Sequence, residues 1–206
     1  RGGQGGVAGG GCDGWHASLA TGYLNVPDSY QRQLLEAARS GAEVDVLTAH
    51  PTANGFYTAK GHIAGALPMA YSLIEQELFD RIRSAGCEDR VRLREWRRDG
   101  WTFHAKGLWL APVENGQEQA PLLSCIGSPN FGRRSVERDL ESQVAVATGC
   151  PHLRQRMAAE RDALFGSAEL VSEATFADPS RRLSWGGGFT HGHWIEPARR
   201  VLGPVM

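Results

Sequence analysis

The fold of this chain can be inferred from one stretch, Phe103-His104-Ala105-Lys106-Gly107-Leu108-Trp109-Leu110. Its apolar residues predict a β-strand over residues 102–110, in which side chains two positions apart lie on the same face. His104 and Lys106 would then project together, so that a nucleophile or an acid lies beside a fixed positive charge. This pair indicates chemistry on a phosphate ester.

A polar turn downstream, Gly127-Ser128-Pro129-Asn130, supplies the second part of the pattern. The Ser128 hydroxyl, the Asn130 amide and the backbone N–H groups of such a turn are donors that bind anionic oxygens. The turn alone would be ordinary, and a lone histidine on an apolar strand is more often a packed core residue. Lys106 favours a cleft over a core, because lysine is almost never fully buried without a partner.

The composition is typical of a single globular domain: 206 residues, of which 41% are hydrophobic and 22% charged. The 22 basic and 23 acidic residues give a net charge of −1, so no overall field would attract nucleic acid. Four cysteines lack metal-ligand spacing and indicate free thiols in a reducing compartment: Cys12, Cys87, Cys125 and Cys150. No apolar run is long enough to cross a bilayer, so any membrane contact would be peripheral.

The periodicity of the rest of the chain predicts alternating helices and strands. Helices are expected over residues 29–39, 67–84 and 152–165, and strands over residues 43–48, 91–96, 122–126 and 144–147. A polar turn at residues 97–100 would join two successive strands and place His104 and Lys106 on a central strand, and residues 112–121 would form a polar loop. The fold class is therefore α/β, a mixed sheet with helices on both faces.

The two ends of the chain differ in composition from its middle. Residues 1–15 are rich in glycine and predict a disordered lead, with a phosphate-binding glycine loop as the alternative. Residues 186–206 predict an irregular tail, in which His191 and His193 are read as solvated rather than as a metal pair, so no metal site and no cofactor are expected. The chain starts with Arg1 instead of methionine, so we expect a fragment whose beginning lies elsewhere.

The His-x-Lys stretch followed by Gly-Ser-x-Asn resembles one half-site of the phospholipase D superfamily. The match extends to a larger block, residues 104–110, 126–132, 134–135 and 138–141, which is similar to the second half of the eukaryotic phosphatidylglycerophosphate synthases. This resemblance implies a phospholipase D-like mixed sheet flanked by helices on both faces. It also makes residues 16–185 the second catalytic half-domain.

The resemblance implies a reaction as well as a fold. In this superfamily two His-x-Lys half-sites face each other, and one histidine attacks phosphorus while the other protonates the leaving oxygen. The phosphatidyl group of CDP-diacylglycerol would pass to sn-glycerol 3-phosphate with release of CMP, on the route to phosphatidylglycerol and cardiolipin. The expected location is the mitochondrion, peripheral to the inner membrane. Lys106 would hold the non-bridging phosphate oxygens, with Ser128 and Asn130 as further donors.

The acceptor is itself an anion and needs a second binding site. Lys60, Arg134 and Arg138 are the candidates for its phosphate, although the arginines could equally form a solvated face. A carboxylate is also needed to orient the imidazole.

Ala111 stands where the superfamily motif has an aspartate, five residues after the lysine. The resemblance therefore makes Glu141 the candidate carboxylate beside His104, and Asp139 the second candidate.

The sequence contains a single His-x-Lys, so a complete site needs another chain segment. An N-terminal half-domain with the first motif or a second copy in a homodimer could supply it, and His104 could be the nucleophile or the general acid. Two alternative functions remain: another phosphodiesterase or phospholipid synthase of the superfamily, and a non-catalytic half that binds anionic lipid.

Overall fold

The computed structural model describes residues 13–57 and 67–181. Eight strands lie in this part of the chain: β1 Gly14–Thr21, β2 Glu43–Ala49, β3 Val91–Trp96, β4 Lys106–Glu114, β5 Gln117–Glu118, β6 Leu123–Gly127, β7 Gln143–Ala147 and β8 Ala168–Leu170. The helices are α1 Asp28–Arg39, α2 Leu67–Ser84, α3 Arg133–Glu137, α4 Pro151–Phe165 and α5 Glu173–Ala177, with short 3₁₀ helices at Pro51–Ala53 and Pro179–Arg181. None of the helices described is long and apolar enough to cross a membrane.

The strands form one mixed sheet in the order β7-β6-β4-β1-β2-β3-β8, with β5 paired to the end of β4. Strands β1, β2 and β3 are parallel, and the remaining neighbours pair antiparallel. The predicted α/β class with a mixed sheet is confirmed.

Helices cover both faces of the sheet because successive side chains of each strand point to opposite faces. On one face Val46 and Leu93 pack against Ala38 of α1 and Leu78 of α2. On the other face Leu47, Trp96 and Trp109 pack with Met157 of α4. The two apolar layers hold the ends of β1 and β4 in fixed positions, and those ends form the candidate site.

The central helices begin and end close to the predicted positions. α2 occupies residues 67–84 as predicted, and Gly86 follows it with φ +63°. α1 begins at Asp28, one residue before the predicted start, and Gly41 follows it with φ +97°. Positive φ favours glycine, so both glycines stop their helices in a conformation that other residues rarely adopt.

The predicted strand over residues 102–110 is wrong at its first four positions. β4 begins at Lys106, and His104 lies in the irregular segment before it. The reason is the length of the partner strand: Lys106 is paired with Thr21, the last residue of β1, so His104 has no strand beside it to complete a ladder. Instead, the N–H of Phe103 donates to the carbonyl of Ala53 at 2.9 Å.

Two further expectations differ from the structure. Strands β3 and β4 are successive in the chain, but β1 and β2 lie between them in the sheet. Residues 112–121 are not only a loop: β4 continues to Glu114, and Asn115-Gly116, both with positive φ, turns the chain into β5. An Asn-Gly pair is the usual signal for such a tight hairpin.

Strand β1 was not predicted, and it begins two residues before the expected half-domain boundary at residue 16. The expected features of residues 1–12 and 182–206, including the glycine-rich lead and the His191–His193 pair, lie outside the described residues.

A charged cluster ties the N-terminal ends of three strands to β5. The His16 imidazole contacts Asp45 (Nε2 to Oδ2, 2.8 Å) and Glu118 (Nδ1 to Oε2, 2.6 Å). Asp45 also accepts hydrogen bonds from Arg92 and Arg94. Burial alone would lower the pKa of His16, but the hydrogen bonds to Asp45 and Glu118 outweigh it and raise the pKa to about 9. His16 is therefore a cation in the folded protein at neutral pH.

We predict that this histidine makes stability depend on pH. A group whose pKa is raised by folding stabilises the protein fully below its unfolded pKa, near 6.5, and loses that effect as pH rises through the folded value. The free energy of unfolding should fall between pH 6.5 and 9 by about 1 to 2 kcal/mol, because partial solvent exposure screens the charges. Urea unfolding across this range measures it. His16→Gln should flatten the profile, whereas His152→Gln, at an exposed position, should not; an unchanged profile in His16→Gln would refute the assignment.

Candidate active site

The sequence-predicted pair lies where the parallel strands end. Lys106 Nζ is 2.8 Å from His104 Nε2 and 3.2 Å from the His104 carbonyl oxygen. An ammonium can only donate, so Nε2 is the acceptor and the imidazole is neutral. The predicted proximity of these side chains is present even though His104 precedes the strand.

The electrostatic surroundings favour this protonation state. Burial lowers the pKa of His104, and the nearby Lys106 ammonium lowers it further. Burial also lowers the pKa of Lys106, with Glu141 opposing the shift. His104 is thus neutral in the absence of substrate although its side chain is exposed to solvent, and its Nε2 lone pair is occupied by the Lys106 ammonium.

The turn after β1 forms one wall of the site. The ring of Tyr23 meets the His104 ring edge to face, with centroids 5.4 Å apart and planes at 63°, and Tyr71 of α2 stacks on Tyr23. A Cβ at Gly22 would lie 3.1 Å from His104 Cδ2 and 3.2 Å from His104 Cα. A side chain at position 22 would therefore displace the imidazole.

Asn130 lies against the same turn. Its carbonyl oxygen accepts a short hydrogen bond from Thr21 Oγ1, and its N–H donates to Ser135 Oγ at 3.1 Å. Its side-chain Oδ1 is buried and has no hydrogen-bond partner among the described residues. This oxygen is 3.6 Å from the position of a Cβ at Gly22, on the side of His104. Buried polar atoms are nearly always satisfied, so this unpaired oxygen, which can only accept, indicates a place for a hydrogen-bond donor such as a hydroxyl group.

Glu141 is near the pair but has a different partner from the predicted one. Its carboxylate accepts a short hydrogen bond from Ser128 Oγ, and no hydrogen bond joins it to His104 in the described part of the chain. Ser128 Oγ in turn accepts from the N–H of Ser142 at 3.1 Å. The carboxylate thus fixes the serine hydroxyl and acts on Lys106 through its charge. Ala111 lies five residues beyond Lys106 and on the opposite face of β4, buried against the core, so an acidic group there would not reach the imidazole.

The predicted anion-binding arginines follow on α3. The Arg134 guanidinium is held by Asp139, with Nε to Oδ2 at 3.0 Å and Nη2 to Oδ1 at 2.9 Å, so Asp139 is paired with an arginine rather than with His104. Arg134 also acts electrostatically on Tyr71 and Glu141, which places it beside the site. Arg138 follows the last residue of α3 and is exposed. Lys60 lies outside the described residues.

The structure therefore brings together His104, Lys106, Ser128, Asn130 and Glu141, all predicted from the sequence. Gly22 and Tyr23 complete the site and were not predicted as site residues. Their contact with His104 depends on the pairing of β1 with β4. Had β1 been recognised as a strand, the Gly-Tyr turn that follows it would have indicated these two residues as part of the site.

No protein-family model matches the chain. A solved structure, a phosphatidylserine synthase from Haemophilus influenzae, superposes with a TM-score of 0.68 at 18% identity, covering 92% of this chain and 38% of that one. A phospholipase D family member, Nuc, from Salmonella typhimurium superposes with a TM-score of 0.46 at 16% identity over 77% of this chain. The chain thus shares the mixed-sheet α/β fold of the phosphatidylserine synthase.

Sequence comparison identifies the relatives more narrowly. The chain is 46% identical over 165 residues to a mitochondrial CDP-diacylglycerol–glycerol-3-phosphate 3-phosphatidyltransferase of Homo sapiens, and 34% identical over 198 residues to the corresponding enzyme of Saccharomyces cerevisiae. The first match covers 80% of this chain and 28% of the human protein, and the second covers 92% and 36%. The chain is thus a homologue of these phosphatidyltransferases, as the motif resemblance implied, and spans about a third of their length or less.

We predict that Lys106→Met raises the pKa of His104 toward its ordinary value, because the neighbouring positive charge is removed. Titration of the His104 ring by NMR measures this. Lys106→Arg keeps the charge and should leave the pKa near that of the native protein. A pKa that does not rise in Lys106→Met would show that the ammonium does not control the imidazole.

We also predict that Gly22→Ala displaces His104. The added methyl group meets the imidazole at 3.1 Å, and such overpacking costs about 1 to 3 kcal/mol of stability. The His104 and Tyr23 resonances should shift and the thermal midpoint should fall. Gly149→Ala is the matched control, since a Cβ there meets no atom within 4 Å. Equal effects of the two substitutions would argue against a close approach at Gly22.

Proposed function

We propose that this chain provides one half-site of a phosphatidyltransferase that moves the phosphatidyl group of CDP-diacylglycerol to sn-glycerol 3-phosphate, giving phosphatidylglycerophosphate and CMP. The observation that supports it most is the neutral His104 hydrogen-bonded to Lys106. The relatives are named for this reaction.

In this proposal the diphosphate draws the Lys106 ammonium away from His104. Nζ then binds a non-bridging oxygen of the phosphorus under attack, and Nε2 of the histidine becomes free. Asn130 would donate through its side-chain N–H groups, and Ser128 would donate by turning its single O–H from Glu141 to the phosphate. No resident metal is used in this scheme.

The reaction proceeds in two displacements. One histidine forms an N–P bond as the P–O bond to CMP breaks, and a second histidine gives the leaving oxygen its proton. The hydroxyl of glycerol 3-phosphate then attacks the phosphorus, the N–P bond breaks to regenerate the first histidine, and the hydroxyl proton returns to the second histidine. His104 takes one of these two roles, and its lowered pKa provides the neutral form that attack on phosphorus needs.

The phosphate of the acceptor would bind to Arg134 and Arg138, with Lys60 as a further ligand. Arg134 supports this assignment because Asp139 fixes its guanidinium beside Glu141 and Tyr71. Arginine forks match phosphate geometry, so these residues would distinguish glycerol 3-phosphate from an uncharged alcohol.

The second His-x-Lys half-site would come from a further half-domain or from a second copy of the chain. His104 and Ser128 are exposed, so the site is open on one side. Next to it, the edge formed by β6 and β7 exposes Ile126 and Val144, which are 50% and 62% accessible. Exposed apolar residues at a sheet edge mark an interaction surface.

We further propose a location in the mitochondrion, at the periphery of the inner membrane. The human relative is named mitochondrial, and the donor substrate in its name is a membrane lipid. A phosphodiesterase with water as acceptor and a non-catalytic lipid-binding half are the outcomes that the following test distinguishes.

The test is a chimera in which this chain replaces the matching 165-residue segment of the human relative. Release of CMP from CDP-diacylglycerol should require glycerol 3-phosphate, and His104→Asn should reduce it about 10²- to 10⁴-fold. Gly149→Ala serves as the folding-neutral control. If His104 is the nucleophile, radiolabelled phosphatidyl-histidine is lost in His104→Asn; if it is the acid, the label accumulates.

Release of CMP at the same rate without glycerol 3-phosphate would identify a hydrolase. Full turnover in His104→Asn would identify a non-catalytic half. Either result would contradict the proposal.

A further inference from the structure

An exposed loop at the end of the sheet where the parallel strands finish, which is also the end that carries the site, combines arginine and tryptophan. Residues 97–102 connect the end of β3 to the segment that contains His104, and all of them are exposed. The indole of Trp101 is 57% accessible, and the guanidinium of Arg98 lies over its ring at 4.7 Å. We call residues 97–102 the Arg-Trp loop.

The loop is positioned by the same contacts that position the site. The N–H of Trp101 donates to the Arg98 carbonyl at 3.0 Å and closes a turn, and Gly100 in this turn has φ +76°. The N–H of Phe103 donates to Ala53, so the loop is joined to the loop that follows β2. A groove of about 300 Å³ separates the Arg-Trp loop from Thr52. Trp101 is three residues from His104 along the chain, so the loop leads directly into the site segment.

The charge of the loop is not neutralised by ion pairs. It contains Arg97, Arg98 and Asp99, and no ion pair found among the described residues involves any of these three. The loop therefore presents net positive charge next to a large exposed aromatic ring. Tyr57, 54% accessible, is a second exposed aromatic residue at the same edge.

We propose that the Arg-Trp loop docks the protein on an anionic lipid surface. Indole rings prefer the headgroup region of a bilayer, and arginines beside them bind lipid phosphates. The diphosphate of a lipid donor lies at that same depth, so docking through this loop brings His104 to the scissile bond. This inference rests on the proposed function for its purpose, but vesicle binding tests it without any turnover.

The experiment measures flotation of the 206-residue chain with phosphatidylcholine vesicles that contain phosphatidylglycerol. The chain should float, and binding should weaken as salt is raised, because the arginines act through screened charges. Arg97→Gln and Arg98→Gln should each weaken binding roughly five-fold, the factor that corresponds to about 1 kcal/mol for one cation at such a surface. Trp101→Ala should weaken it further, and Trp101→Phe should restore part of the loss.

Trp15 provides the matched control. It is 45% accessible but lies at the start of β1, the opposite edge of the sheet from the site. Trp15→Ala should bind vesicles like the native chain, and thermal melting checks that every variant is folded at the temperature of the assay. Lipids with brominated acyl chains should quench fluorescence in the native chain and much less in Trp101→Phe.

Three results would overturn the docking proposal. They are no flotation of the native chain, equal losses of vesicle binding for Trp15→Ala and Trp101→Ala, and protection of the Trp101 fluorescence from brominated-lipid quenching by free CMP. The last would assign the groove to the nucleotide. None of them bears on turnover of detergent-dispersed substrate by the chimera, so failure of docking and failure of the proposed activity give different patterns.

Discussion

The antiparallel pairing of β1 with β4 is the constraint on which the site depends. Since β1 ends at Thr21, opposite Lys106, the ladder stops there and the chain before Lys106 is free to bend. That bend puts the His104 ring against Tyr23 and over Gly22, while Lys106 stays on the strand within hydrogen-bonding distance. A ladder two residues longer would place His104 in regular strand geometry, where its ring would no longer be held against Tyr23.

The parts of the fold that the sequence predicted well are those determined by local periodicity. α2 and β3 have the predicted limits because their apolar spacing and the following turn residues are local signals. β1 was missed because polar residues occupy its buried positions: His16 and Ser18 interrupt the alternation, and the partners of His16, Asp45 and Glu118, lie far away in the chain. The sequence of one strand does not show that a charged histidine in it is paired with carboxylates on other strands.

The residues of the site likewise divide into those that a short motif indicates and those that depend on which strands are neighbours. His104, Lys106, Ser128 and Asn130 could be predicted from short motifs, whereas Gly22 and Tyr23 required knowledge of which strands are neighbours. Glu141 was found as a nearby carboxylate, but its hydrogen bond goes to Ser128, because side-chain partners depend on distances that spacing alone does not give. The matched segment covers 28% of the human relative, so that protein contains more chain than the described half-site.

Lys106 is one of two lysines in a chain whose other basic side chains are nearly all arginine, the second being Lys60. Because burial lowers its pKa, more of its amine is uncharged at neutral pH than in an ordinary lysine. Acylating reagents attack only the uncharged amine, and guanidinium groups do not compete for them. The same desolvation that prepares this side chain to receive a phosphate therefore makes its amine more open to acylation than that of an ordinary lysine, at the centre of the site and without any engineered cysteine.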